Sequence, residues 1–478
     1  MIANKKIKAA ALWSGLEALT SSLLSVISII FLARVLLPED YGQIATAQVI
    51  AALVQMLLSL GLTEAIIQRK NLTREHELSA FWGSVLLAIF GVLICGVIAL
   101  YFYLVGMNKN IPIILLFEAT GVFLNLLMTL PTAMLLRNLE MSAFTKRTIF
   151  SRLVFFVVAV PLAMNGIGLW SIVFANLSQV LVATLLVFHA SRKLLPRGYF
   201  FSWKHFYELT SFGIFVMIEN VLWSVMSRVF SLLIFSFHGT YALGLFNMAT
   251  RLTDAVLNIL NTVIGRIALP IFSSIQNDLP KLKSAFKKAT MIFNFVSMPA
   301  FFGIALTCNT WVPLVLGNKW HDAIPVIQVI AVMNGIMFSR MFVGTVMKAI
   351  GESKRFLYLS ATAAIMTVVA ALLTRNMSLV DTLVAWSAAR ILITIPLGIY
   401  LMWKIFGLNG KEQLMPVCGP IVASLVMAAA IVFSEPLVSF YSGSVIVESI
   451  TLIVIGAVSY VAVALLLLKF KLMSLKTQ

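Results

Sequence analysis

Arg251-Leu252-Thr253-Asp254-Ala255-Val256-Leu257-Asn258-Ile259-Leu260-Asn261-Thr262-Val263-Ile264-Gly265-Arg266 is mostly apolar, yet its polar residues are not scattered. At a helical period, Arg251, Asp254, Asn258, Asn261 and Gly265 fall within an arc of about 80°. The stretch therefore predicts a membrane helix with one polar face. A guanidinium at bilayer depth costs between about 2.5 and 17 kcal/mol, and it does not shed its proton. Such a residue persists where it meets a cavity, a partner or a ligand. Arg251 and Asp254, three apart, can also pair along the helix. Two readings follow: a self-neutralised pair that joins helices, or a cavity wall with a cation for substrate and a carboxylate that titrates.

Five more arginines lie in similar surroundings: Arg34, Arg228, Arg266, Arg340 and Arg390. Arg228 and Arg390 are near the middle of their apolar runs, too far from an end to reach water easily. Arg340 is off-centre, and Arg34 and Arg266 are close enough to helix ends for headgroup contact. The simplest resident for cavities lined by such permanent cations is an anion.

The chain is 61% hydrophobic and 11% charged, against about 25% charged in soluble domains. Its mean hydropathy is +1.01. Apolar runs long enough to cross ~30 Å of hydrocarbon recur from end to end. They predict an all-α polytopic membrane protein with fourteen spans, near 9–36, 44–67, 78–104, 111–136, 149–164, 167–188, 209–237, 241–270, 289–312, 324–349, 356–374, 378–404, 414–434 and 445–468. The first run resembles a signal peptide, but it lacks a cleavage site and is read as a retained span. The net charge of +17 is no nucleic-acid signature, because the positives gather at the ends of apolar runs. One set of loops carries only Lys109, Lys319 and Arg375, and the other set carries nearly all the rest. That bias places both termini in the cytoplasm.

Sliding the chain by 202 residues superposes span 1 on span 7 and span 2 on span 8: Glu17 meets Glu219, Tyr41-Gly42 meets Leu243-Gly244, and Ala47 meets Ala249. Two parallel six-span halves follow, residues 1–205 and 206–405, with 406–478 as two accessory helices and a tail. Such repeats favour a transporter with its site between the halves. Glu219, Asp254, Glu17 and Glu118 are the carboxylates that could couple transport to an ion, since burial raises a carboxylate toward the range of proton exchange. The alternative for each is a salt bridge to an arginine. Gln48, Gln55 and Ser59 form a milder stripe on span 2, suited equally to helix–helix contact and to lining a path.

Several chemistries are absent. No GxxxxGK[ST] loop occurs, so the chain does not consume nucleotide itself. The five histidines lack metal-ligand spacing, and Cys95, Cys308 and Cys418 imply no disulfide framework. No cofactor, metal or catalytic residue is expected. The loops are too short to fold into a catalytic domain.

Four stretches resemble the polysaccharide-transport (Wzx-type) flippases of the multidrug/oligosaccharidyl-lipid/polysaccharide exporter superfamily. They are Leu32-Ala33-Arg34-Val35-Leu36-Leu37-Pro38-Glu39-Asp40-Tyr41-Gly42, Gly61-Leu62-Thr63-Glu64-Ala65-Ile66-Ile67-Gln68-Arg69-Lys70, Leu269-Pro270-Ile271-Phe272-Ser273-Ser274-Ile275-Gln276-Asn277-Asp278, and Val312-Pro313-Leu314-Val315-Leu316-Gly317-Asn318-Lys319-Trp320. Glu64 departs from that pattern, and its role is left open. The resemblance implies two six-helix lobes around a V-shaped central cavity, two helices outside them, and a cycle driven by an ion gradient, H⁺ or Na⁺. It implies an undecaprenyl-diphosphate oligosaccharide as cargo, moved between leaflets of a bacterial cytoplasmic membrane for surface polysaccharide synthesis. Arginine is well shaped to hold a diphosphate, and Arg251, Arg228, Arg390 and Arg340 are the candidates. Membrane lipids, a polysaccharide polymerase and a chain-length regulator are candidate partners. The rival readings are a multidrug exporter of the same superfamily, whose mostly cationic substrates suit these arginines poorly, a membrane enzyme of envelope synthesis, and a non-transporting component of an assembly complex.

Overall fold

The computed structural model describes residues 2–69, 71–138, 140–261, 271–272 and 275–469, and within its helices the side chains of 2–14, 16, 18–19, 212–227, 353–354 and 468 are outside the description. Among the described residues there is no strand. Hydrocarbon offers no partner to a bare N–H or C=O, so a spanning chain closes its hydrogen bonds within helices.

The chain divides into two compact units, residues 1–244 and 245–478. The first contains α1 (Ile2–Val35), α2 (Pro38–Leu58), α3 (Leu62–Gln68), α4 (Arg74–Leu104), α5 (Asn110–Leu127), α6 (Thr129–Arg137), α7 (Met141–Met164), α8 (Trp170–Ser191) and the first part of α9 (Trp203–Leu260). The second holds the rest of α9, then α10 (Leu279–Val315), α11 (Ala323–Met337), α12 (Phe342–Ala349), α13 (Ser353–Leu373), α14 (Leu379–Ala389), α15 (Ile395–Phe406), α16 (Gly410–Tyr441) and α17 (Val445–Lys469).

Twelve helical segments among the described residues are long and apolar enough to span a membrane. Much of expected spans 1 and 7 carries side chains outside the description, so the count of fourteen stays an expectation. Spans 7 and 8 need no loop between them: within α9 only Gly239, at φ 81° and ψ −176°, leaves helical geometry. That region is open to glycine almost alone.

Four expected spans are interrupted. Leu60 and Gly61, with φ of 46° and 63°, separate α2 from α3. Met128 separates α5 from α6, a 3₁₀ turn at Phe338–Arg340 separates α11 from α12, and a π-helical segment at Arg390–Thr394 separates α14 from α15. Apolar periodicity does not register such breaks. They survive in a membrane only where protein or water covers the freed backbone groups.

The 202-residue shift has a structural counterpart inside the first unit. A Cβ on Gly42 would overlap the carbonyl oxygen of Thr240, and a Cβ on Gly244 would overlap that of Pro38. Pro38 and Thr240 are also 202 apart, so the contact is its own image under the shift. Gly239, at the turn before span 8, likewise corresponds to Leu37, at the turn before span 2.

Each unit has its own core. In the first, Leu62 and Ile66 of α3 pack with Leu130 of α6 and with Phe206 and Leu209 of α9. In the second, Phe342 of α12 meets Phe272 and Phe293 edge-on, with ring centroids 6.0 and 5.6 Å away. The last two helices are fastened to α10. Met427 and Ile431 of α16 and Leu452 and Tyr460 of α17 pack against Phe295 and Phe302, and Tyr460 Oη donates to the Phe295 carbonyl at 3.0 Å.

Gly42→Ala and Gly244→Ala should each lower stability by about 1–3 kcal/mol, the range for overpacking. Because both methyls part the same helices, the double variant should lose less than the two single losses added. Gly96, with nothing within 4 Å of an added Cβ, should accept alanine without loss. Thermal unfolding of the purified protein in detergent distinguishes these outcomes.

Candidate functional site

In the first unit, polar residues join α2 to α5 in three rungs. Asn110 Nδ2 donates to Gln43 Oε1 at 3.1 Å, Gln48 Nε2 to Glu118 Oε1 at 3.3 Å, and Asn125 Nδ2 to Gln55 Oε1 at 3.3 Å. The Gln48 and Gln55 stripe is thus helix–helix contact, which suits segments with no hydrophobic drive to associate in lipid. Ser59, assigned to the same stripe, bonds instead to the Met56 carbonyl on its own helix. Glu118 has a neutral amide partner rather than an arginine in this ladder.

Glu17 of α1 faces α7. It accepts a hydrogen bond from Thr148 Oγ1 at 2.9 Å and lies within electrostatic reach of Arg147 and Arg152. The guanidinium of Arg147 sits 5.3 Å from the Phe144 ring centre. The sequence reading began this span near 149, which left Arg147 in a loop and Arg152 at the span's edge, whereas α7 begins at Met141. They are half-buried helix residues around one carboxylate. Its repeat mate Glu219 lies outside the described side chains, and Arg266 lies outside the described residues.

At the basic end of the first unit, α4 is tied to the start of α9. Arg69 Nη2 and His76 Nε2 both reach Glu208 Oε2, at 2.6 and 3.1 Å. His205 Nε2 is 3.3 Å from Glu75, and the His76 and His205 rings meet edge-on at 4.6 Å. Hydrogen bonds from His76 and Arg69 hold the Glu208 carboxyl down at about 2, from an ordinary value of 4.5.

In the second unit, the polar face of α9 turns away from packed protein. Thr253, Ala255 and Leu260 are buried, whereas Asp254 and Asn258 are exposed and Arg251 is half-buried. The self-neutralised Arg251–Asp254 pair, one of the two readings of this stretch, does not form: Asp254 has no ion pair among the described residues, and Arg251 has contacts of its own. Carboxylate and amide groups exposed at membrane depth require water rather than lipid. Asn261 continues the face, with its Oδ1 buried and lacking a partner among the described residues.

Arg390 opens the π-helical segment, and its guanidinium lies over the Trp386 ring, 5.2 Å from the centre. Trp386 is fixed in turn by donating to Thr367 Oγ1 at 3.0 Å. Ser387 Oγ, Arg390 Nε and Thr394 Oγ1 are all buried without a hydrogen-bond partner among the described residues. The spacing of i, i+3 and i+7 puts them along one side. Buried donors left unmade are costly, and three in one row set this side of the helix apart. The spacing was readable in the sequence, but Ser387 and Thr394 pass there for ordinary small polar residues of a span. Arg340 has a different setting: its Nη2 donates to Gln413 Oε1 of α16 at 2.7 Å. Arg228, half-buried on α9 in the first unit, also has contacts of its own. No cluster suited to a metal ion occurs among the described residues.

Residues 31–325 match the profile of the polysaccharide biosynthesis proteins. The chain is 27% identical over 345 residues to the lipopolysaccharide biosynthesis protein WzxC of Escherichia coli (strain K12), covering 70% of this chain and 68% of that one. It is 22% identical over 461 residues to the succinoglycan biosynthesis transport protein ExoT of Rhizobium meliloti (strain 1021), covering 95% and 92%. Among solved structures it resembles the lipid II flippase MurJ in an inward closed conformation, with a TM-score of 0.76 and 14% identity over 96% of this chain and 99% of that one. It also resembles an inward-facing MATE family multidrug resistance transporter of the MOP superfamily, with a TM-score of 0.61 and 14% identity over 81% and 94%. The all-α polytopic fold expected from the apolar runs, with the MATE-like form that the family resemblance implied, is therefore the fold observed.

Because the folded-state value of Glu208 is depressed, its stabilising effect is full above pH 4.5 and disappears as pH falls toward 2. Glu208→Gln should remove it at neutral pH, and the variant's stability should vary less with acid over that window. Amide exchange at residues 203–210 should rise in the same variant; unchanged protection there would show that the tie does not hold α9.

Proposed function

Because the chain belongs to the family of polysaccharide biosynthesis proteins, we propose that this multi-pass membrane protein is a flippase for an undecaprenyl-diphosphate-linked oligosaccharide. It carries the cargo from the cytoplasmic to the outer leaflet of a bacterial cytoplasmic membrane, with both termini cytoplasmic. It acts as a carrier and not as an enzyme, by alternating access coupled to an ion gradient. The relatives named for lipopolysaccharide biosynthesis and succinoglycan transport support the polysaccharide context. A polymerase and a chain-length regulator would receive the product.

The observation that carries this reading is the unmet row of Ser387, Arg390 and Thr394. A phosphate oxygen supplies what these donors lack, and a charge-assisted bond to phosphate is about twice as strong as a neutral one. Arg251 and Arg390 of the second unit are the cations assigned to the diphosphate. A multidrug exporter of the same fold would expel cations, and these groups repel them. Among the carboxylates, Glu17 is engaged by Thr148 and the α7 arginines, and Glu118 by Gln48. Asp254, exposed on the polar face of α9, is the group we assign to coupling, as the carboxylate best placed to exchange a proton with entering water. Glu219 is the other candidate.

Reconstituted in liposomes with a labelled undecaprenyl-diphosphate oligosaccharide, the protein should exchange the lipid between leaflets. Loss of a charged hydrogen bond costs about 1.5–3 kcal/mol, so Arg390→Gln and Arg251→Gln should each slow exchange roughly 10- to 100-fold. Asp254→Asn should abolish the response to a pH gradient while leaving downhill exchange. Normal rates in both arginine variants would refute the cationic site.

A further inference from the structure

A pocket of about 390 Å³ lies inside the second unit, and it is not the polar row of α14. Its longest wall is α16. Gln413, Val417, Ile421, Leu425 and Ala428 follow one another along a single helical face. Met298 and Phe302 of α10 and Ile395 of α15 close the other sides. The lining is almost wholly apolar, with one charge at one end, Arg340, braced by Gln413. Gln413 is itself fixed, since its Nε2 donates to the Ile399 and Leu408 carbonyls at 3.0 and 2.7 Å. No carboxylate lines the pocket. Glu412, next to Gln413 in sequence, is answered by Lys287 at 3.1 Å.

Length and charge together select an occupant. From Gln413 to Ala428 the helix rises about 22 Å. One headgroup layer plus half of the hydrocarbon amounts to roughly 20–22 Å. The charged end lies beside the basic first turns of α10, where Lys283 reaches the Gly407 carbonyl and Lys287 reaches Glu412, on the side that the charge bias assigns to the cytoplasm. We infer that this groove holds one anionic phospholipid of the cytoplasmic leaflet, its phosphate on Arg340 and one acyl chain along α16. A polyprenyl diphosphate carries more charge than one guanidinium answers and a chain longer than one leaflet, so the cargo fits this groove poorly. The bound lipid fills the space left between α16 and α10.

The test uses the full-length protein, delipidated in detergent, with native mass spectrometry and thermal unfolding as readouts. The probes are phosphatidylglycerol, phosphatidylethanolamine and undecaprenyl phosphate. One phosphatidylglycerol should be retained at least tenfold more strongly than phosphatidylethanolamine, and it should raise the unfolding temperature. Arg340→Gln should lose that preference, and Arg340→Lys should keep part of it. Ala428→Trp, which blocks the apolar end and leaves the charge intact, should expel the lipid. Ile421→Trp repeats that test higher in the groove, should Ala428→Trp fail to fold. Equal retention of the two phospholipids, or phosphatidylglycerol binding unchanged in Arg340→Gln and in the folded tryptophan variants, would overturn the inference. So would displacement of phosphatidylglycerol by equimolar undecaprenyl phosphate, which would give the groove to the cargo. None of these readouts depends on transport, so their failure leaves the proposed flippase activity to its own test.

Discussion

Gly42 and Gly244 bring two helix backbones closer than any side chain permits. Each occupies the place where a Cβ would strike the other strand of the repeat, at Thr240 and at Pro38. In hydrocarbon there is little hydrophobic gain from helix association, so close backbone packing and polar contacts do the work instead. The same economy appears in the three amide rungs between α2 and α5. Small residues and side-chain amides hold the helices, which leaves the permanent charges for another purpose.

The arginines divide by their surroundings. Arg147 and Arg152 surround Glu17, and Arg340 closes the charged end of an apolar groove. Arg390 is stacked on Trp386 with a buried nitrogen unmet among the described residues. The interruption of α14 at Arg390–Thr394 belongs to the same pattern, since π segments concentrate where a helix serves a site at some cost in regularity. On α9, Asp254 and Asn258 turn outward while Thr253 and Leu260 are packed. A fold shared by a lipid II flippase and a multidrug transporter does not choose its cargo.

Much of this architecture was legible in the residues. Length and apolarity located most of the spans, whereas the contact between Gly42 and Gly244 was not expected from the shift that pairs them. Of the polar arc from Arg251 to Asn261, Asp254 and Asn258 are exposed, while Arg251 and Asn261 are half-buried. Other features were hidden for physical reasons. The break at Leu60-Gly61 and the π segment at Arg390 depend on backbone dihedrals that apolar periodicity does not register. The start of α7 at Met141 moves Arg147 from loop to helix, and the polar run Thr145-Lys146-Arg147-Thr148 conceals it. Which carboxylate meets which cation is a tertiary matter. Asp254 lies three residues from Arg251 yet does not pair with it, while Glu17 finds partners more than a hundred residues away.

The central claim is that these cations exist to hold a phosphate-bearing lipid, and equilibrium binding tests it most directly. The measurement compares the affinity of the purified protein for undecaprenyl diphosphate and for the uncharged alcohol undecaprenol, at low and high salt. The account predicts binding that requires the diphosphate, weakens with salt and falls at least tenfold in Arg390→Gln. Equal affinity for the alcohol, with no dependence on Arg390, would contradict it.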